Sequence, residues 1–115
     1  MTKNQAPPLS KSRRAGNLLF LSGQLARGAD GAIVDGDIRI QTRQVLANIE
    51  AVLAGEGATL ADVVKVTAWI TDLSDMEGFN EVYRAVMPEP FPARSTVFCE
   101  LAAGKVEIEV LAVLE

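Results

Sequence analysis

Two segments of helical period alternate with segments of strand character, and that alternation limits the possible folds more than any other feature of the chain. Ile38, Thr42, Val45, Leu46, Ile49, Val52 and Leu53 recur at the spacing of a single helix face. Asp37 stands where an N-cap belongs, and Gly55 and Gly57 where a helix stops. Val63–Thr71 then becomes dense in Val, Ile and Thr, the composition of a strand. Ser74-Asp-Met-Glu77 has the form of a capping box, opening a second helix with Met76, Phe79, Tyr83, Val86 and Met87 on one face. Pro88 and Pro90 end it. Thr59 to Asp62 reads as a small capped turn between the first helix and the strand.

Strands flank this centre on both sides. Leu18-Leu-Phe-Leu-Ser22 pairs in a hairpin with residues 10–15 through the Gly16-Asn17 turn. Residues 27–36, with Gly28, Gly31, Gly36, Asp30 and Asp35, form a loop. Ala93–Leu101 and Val106–Leu114 close the chain as two strands. The predicted order is β-β-α-β-α-β-β: an α+β domain whose mixed sheet carries both helices on one face. With 115 residues the chain is a single domain over 1–115, with a loose lead-in at 1–9 ending in Pro7-Pro8-Leu9.

The second face of that sheet is not simply polar. Lys65, Thr67, Trp69 and Thr71 share one parity, and Leu111 and Val113 share theirs with Glu107 and Glu109. A half-apolar sheet face predicts a closed homo-oligomer.

Composition narrows the chemistry. The chain has no histidine, which removes a Ser-His-Asp triad, a Cys-His dyad and His-based zinc sites. One cysteine, Cys99, cannot form an internal disulfide. A formal net charge of −4 gives no long-range pull on phosphate backbones, so nucleic acid is a poor expectation. No run has the length of a membrane span, and the polar start has no apolar signal core, so a cytoplasmic protein is expected.

Several residues could carry chemistry. Arg94 opens a strand after Pro92-Ala93, with Thr96 and Phe98 on its side. Its planar fork suits a small carboxylate ligand, although an ion pair with Glu100, Glu107 or Glu109 is the commoner fate of a strand arginine. Glu107 and Glu109 face the same side, where either solvation or a general-base role is open to them. In Ser22-Gly23-Gln24 the glycine either admits a ligand to the backbone or ends the strand. Asn80 offers a polar contact or an exposed amide, and Tyr83 reads as core. Cys99, grouped with Ser95 and Val97, reads as a small buried hydrophobe on the helix-packed side. Lys65, Arg13 and Arg14 read as solvated charges.

These residues follow a known order. Ser22-Gly23-Gln24 after an apolar strand, Asn48-Ile-Glu50, Lys65-Val-Thr67, Asp72-Leu73, Asn80-x-x-Tyr83, Phe91-Pro-Ala-Arg-Ser95 and Val106-Glu-Ile-Glu109 succeed one another along the chain. Together they resemble the RidA (YjgF/UK114-type) family of reactive intermediate deaminases, also called L-PSP endoribonuclease-like. The resemblance runs from about Gly16 to Glu115 and implies a chorismate-mutase-like α+β fold. It also implies a homotrimer with sites between subunits. The implied reaction is hydrolysis of 2-imino acids, or their enamine tautomers such as 2-aminoacrylate, to 2-keto acids and ammonia. No metal and no cofactor are implied.

Residue by residue, the resemblance makes Arg94 the carboxylate clamp and Glu107 the group that places the water. It puts Ser22, Gly23 and Asn80 in the pocket lining. Two positions depart from the family pattern. Leu9 stands where well-studied members have tyrosine, and Thr96 where they have cysteine, leaving Thr96 its backbone N–H. A protonated imine is already electrophilic, so such a site needs placement more than a strong nucleophile, consistent with a chain lacking histidine. The alternatives are a non-catalytic trimer that binds a small acid as a sensor, and, ranked below it, a ribonuclease.

Overall fold

The structure, a computed structural model, describes residues 6–115; residues 1–5 of the expected lead-in lie outside the described residues. The chain forms β1 (Ser12–Ala15), β2 (Leu18–Leu21), β3 (Gln24–Leu25), α1 (Ile38–Gly55), β4 (Val63–Ile70), α2 (Met76–Val86), β5 (Ala93–Phe98) and β6 (Val106–Val113). The predicted order holds, with β3 as an addition. Its two residues pair with β6, Gln24 opposite Ile108 and Leu25 opposite Glu107. Two residues are too few to show any periodicity, so nothing in the sequence marked them.

The sheet order is β1-β2-β6-β4-β5, with β3 beside β6. β4 and β5 run parallel, joined by α2, and the other pairings are antiparallel. The β1–β2 hairpin turns at Gly16-Asn17 with Gly16 at φ +60. A positive φ at the first central residue alone is the type II′ pattern, which only glycine adopts freely.

Both helices pack on the same face. α1 begins at Asp37, whose carboxylate accepts from the Ile40 N–H at 3.0 Å, and it buries Ile38, Gln41, Thr42, Val45, Leu46, Ile49 and Leu53. α2 buries Gly78, Phe79, Val82 and Tyr83. Against them lie Val66, Ala68 and Ile70 of β4 and Val106, Ile108, Val110 and Ala112 of β6, all buried. Gln41, unforeseen as a buried residue, ties two loops together. Its amide donates to the Val34 carbonyl at 3.1 Å and accepts from the Lys105 N–H at 2.8 Å.

The start of α2 differs from the expected Ser74–Glu77 capping box. Asp72 takes the Ser74 N–H at 2.9 Å and its hydroxyl at 2.8 Å, so a 3-10 turn over Leu73–Asp75 begins the rotation early. α2 follows directly, with Asp75 before it making no side-chain cap. A reciprocal capping box does occur at Thr59 and Asp62, within the expected capped turn.

Candidate active site

Register assigns each candidate to a face, because directly paired residues share one. Arg94 lies opposite Val66, and Thr96 opposite Ala68. Both therefore stand on the helix-packed face. Glu107 lies opposite Trp69 and Glu109 opposite Thr67. Trp69 and Thr67 are in turn opposite Val97 and Ser95. The two glutamates thus share the open face, as expected, with Phe20, Leu111 and Val97. Phe20 is 45% exposed and Val97 41%.

This register corrects the reading of Cys99. Ser95 and Val97 belong to the open face, and Cys99 falls beyond the end of β5. Its N–H donates to the Ile70 carbonyl at 3.2 Å and its side chain is exposed. The strand ends at Phe98, three residues before the expected limit.

Arg94 is held without a carboxylate. Its Nη2 donates to Asn80 Oδ1 at 2.8 Å. Its Cζ sits 4.6 Å from the ring centroid of Tyr83 and 5.2 Å from that of Phe79. Among the described residues the only ion pair joins Arg39 and Glu81. The expected pairing of Arg94 with Glu100, Glu107 or Glu109 is thus absent; two of the three lie on the opposite face. Arg94 lines a cleft of about 240 Å³ together with Asn80, Tyr83, Arg84, Phe91 and Pro92. Thr96 shares the face of Arg94 but is not part of that lining.

Glu107 is packed differently. A Cβ on Gly23 would overlap its carboxylate, so the glutamate can hold this side-chain position only beside a glycine. Burial, and then the neighbouring Glu109, push the Glu107 carboxyl above its ordinary range. Ser22 precedes Gly23 in the chain, its hydroxyl donating to the Ser10 carbonyl at 2.6 Å. Leu9, 62% exposed, lines a groove of about 440 Å³ with Ser22, Gly23 and Gln24. The structure therefore brings Ser22, Gly23 and Glu107 together, and brings Arg94 and Asn80 together. These are two separate groups on opposite faces of one sheet.

The family model described as Endoribonuclease L-PSP matches residues 3–114. The chain belongs to the RidA/YjgF family. A 2-iminobutanoate/2-iminopropanoate deaminase of Dermatophagoides farinae is 39% identical over 94% of this chain and 87% of its own. A RutC family protein of Pyrococcus horikoshii is 44% identical, over 92% and 85% respectively. The crystal structure of RidA from an Antarctic Psychrobacter superposes with a TM-score of 0.89 at 35% identity, covering 96% of this chain and 92% of that one. The RidA-type fold expected from the sequence is thus the fold observed.

Two features of this RidA-family site were not anticipated. Tyr83 was read correctly as buried but not as the surface under Arg94. Phe91 and Pro92 were not read as cleft walls. The local signal was present, since Phe79 and Asn80 lie four and three positions before Tyr83 and so each neighbours it on α2. Which strand these residues would meet is set by the parallel crossover, which no local pattern encodes. Among the described residues no three potential metal-ligating side chains gather closely enough to hold an ion.

Proposed function

We propose that this chain hydrolyses 2-imino acids, and their enamine tautomers, to 2-keto acids and ammonia. The observation that carries the reading is Arg94, a half-buried guanidinium facing a cleft with no carboxylate partner among the described residues. A cation so placed favours a carboxylate ligand, and its planar fork can fix that ligand at two points.

Glu107 supplies the complementary chemistry. A carboxylate titrating above its ordinary range is better matched to proton transfer near neutral pH. In the proposed reaction Glu107 orients a water and takes its proton as the oxygen bonds to the imine carbon. Attack on the protonated imine gives a carbinolamine; Glu107 returns that proton to its nitrogen, then takes the hydroxyl proton as the carbon–nitrogen bond breaks, so ammonia leaves and the keto group forms.

Arg94 and Glu107 occupy opposite faces of the sheet, so we propose that one copy's Arg94 meets a second copy's Glu107. An interface between two different patches is head-to-tail and closes only as a ring. The resemblance implies a ring of three copies. Sedimentation equilibrium should then give three times the 12.3 kDa chain mass. A stable monomer at micromolar concentration would reject the composite site.

The activity is tested by generating 2-aminoacrylate in situ with a serine dehydratase and trapping the imine with semicarbazide. The protein should suppress trapping; a ligand-binding protein without activity would not. A ribonuclease reading has less support. The chain has no histidine and a net charge of −4.

A further inference from the structure

The Arg94 guanidinium is oriented by a contact that leaves its charge free. Its plane of π contact is Tyr83, at 4.6 Å, with Phe79 at 5.2 Å beside it. The two rings brace one another, their centroids 5.6 Å apart, and Phe91 adds a third ring 6.4 Å from Tyr83. Among the described residues only one donor of the fork is consumed, by Asn80. Had an Asp or Glu held the arginine instead, it would have neutralised it and occupied the edge a substrate carboxylate needs. A ring face attracts the cation and takes none of its N–H groups.

Tyr83 itself is 5% exposed, and its hydroxyl has no hydrogen-bond partner among the described residues. An unpartnered buried hydroxyl is destabilising, so no bond among the described residues accounts for the phenol group of a tyrosine here. Burial holds the phenol above its ordinary range, so it stays neutral beside Arg94.

We infer that Tyr83 is a positioning residue, whose ring face, rather than its hydroxyl, aims the Arg94 fork at the carboxylate of the substrate. The inference rests on the reading of Arg94 as the carboxylate clamp. It assigns Tyr83 no contact with the reacting atoms.

The test compares Tyr83→Phe, which keeps the ring, with Tyr83→Leu, which removes it. Tyr83→Phe should keep wild-type KM and kcat. Tyr83→Leu should raise KM for 2-aminoacrylate about tenfold, the scale of a partly desolvated cation–π contact. A structural role alone would move thermal stability without this split. A series of ring-fluorinated phenylalanines at position 83 changes the ring quadrupole at nearly constant shape, so KM should climb with each added fluorine. That series keeps the inference testable if Tyr83→Leu does not fold.

An activity-independent readout is the Arg94 Nε–H resonance, identified by its loss in Arg94→Lys. It should be displaced by the ring current in wild type and Tyr83→Phe, return toward the random-coil position in Tyr83→Leu, and respond to titration with 2-oxobutanoate. If Tyr83→Phe is as impaired as Tyr83→Leu, the hydroxyl is the working group and the inference is wrong. It is equally wrong if KM is flat across the fluorinated series. If wild type shows no turnover, the deaminase reading fails. The resonance and the 2-oxobutanoate titration then still decide the role of Tyr83: loss of both in Tyr83→Leu with retention in Tyr83→Phe supports it, and any other pattern rejects it.

Discussion

The two faces of the sheet are built to different rules. On the helix-packed face, Val66, Ala68 and Ile70 meet Val110, Ile108 and Val106 row by row, all buried under α1 and α2. Arg94 enters only at the margin, where the parallel edge strand β5 leaves the helices room for a cleft. On the open face the rows mix types: Glu107 with Trp69, Glu109 with Thr67, Leu111 with Lys65. The first face is finished within one chain. The second puts carboxylates beside exposed apolar groups, an arrangement that favours further burial and makes each charge costly unless it is used. Under the proposed function, each face lends one half of a site.

The sharpest way to break this comparison is to disarm the open face while keeping its shape. Glu107→Gln is nearly isosteric but cannot take a proton. Turnover of 2-aminoacrylate should fall by about 10²–10⁴-fold while the keto acid still binds. Wild-type turnover in this variant would make Glu107 structural and leave the water to some other group.

The next test sets packing against exposure. Ile108→Ala, a deletion inside the closed face, should cost about 2–5 kcal/mol in denaturant unfolding. Val97→Ala on the open face should cost the isolated chain about 0.5 kcal/mol or less. Any larger loss at Val97 should appear as a melting temperature that rises with protein concentration, the signature of association. Equal losses at both positions, independent of concentration, would mean the two faces are not different in kind.

Arg94→Lys probes the margin where the closed face becomes a site. It keeps the charge and removes the fork, so kcat/KM should fall by about 10²-fold with folding and oligomer size unchanged. Near-normal activity would reject Arg94 as a two-point clamp.

The closed face was legible in the sequence because it obeys period. The α1 residues predicted from 3.6-residue spacing are those it buries, apart from Val52, which is half-buried, and Gln41, whose burial depends on loop carbonyl and amide partners. The open face was legible only as a mixture, and Glu107 and Glu109 were placed on it correctly. Cys99 was misplaced because alternation says which residues share a side, not which side meets the helices. That choice is made by the pairing of Ser95 with Thr67 and Val97 with Trp69. Gly23 was read as room for a ligand or a strand end; the structure gives that room to Glu107. The hold on Arg94 was hidden for the same reason as the fate of Cys99. Asn80 and Tyr83 reach it across a crossover, through contacts 14 and 11 positions away in the chain.

A smaller effect on the open face follows from its electrostatics. The Glu107 carboxyl titrates above its ordinary value of 4.5, through burial first and Glu109 second. The folded state therefore holds a proton that the unfolded chain releases, and stability falls as pH rises through that window. Glu107→Gln removes the penalty. It should unfold at higher denaturant concentration than wild type at neutral pH, and the two should converge as the pH drops below the ordinary value. A gain that persists or grows in acid would contradict the burial of the carboxylate.

The smallest effect is expected at the exposed ion pair that links the two helices. Arg39 Nη2 lies 3.0 Å from Glu81 Oε1, and both side chains are largely in water. Mutual bonding raises the Arg39 guanidinium and lowers the Glu81 carboxyl relative to their ordinary values. By sign, the Glu81 contribution is present above its unfolded value and fades as pH falls through the lowered folded value. Exposed pairs, however, are screened by salt and must order two long side chains to form. Glu81→Gln should therefore leave the melting temperature and kcat/KM unchanged within measurement at physiological ionic strength, with any difference confined to low salt and vanishing in acid. A clear loss of stability at high salt would show that α1 and α2 depend on this pair, and that the closed face is held by more than the apolar rows beneath it.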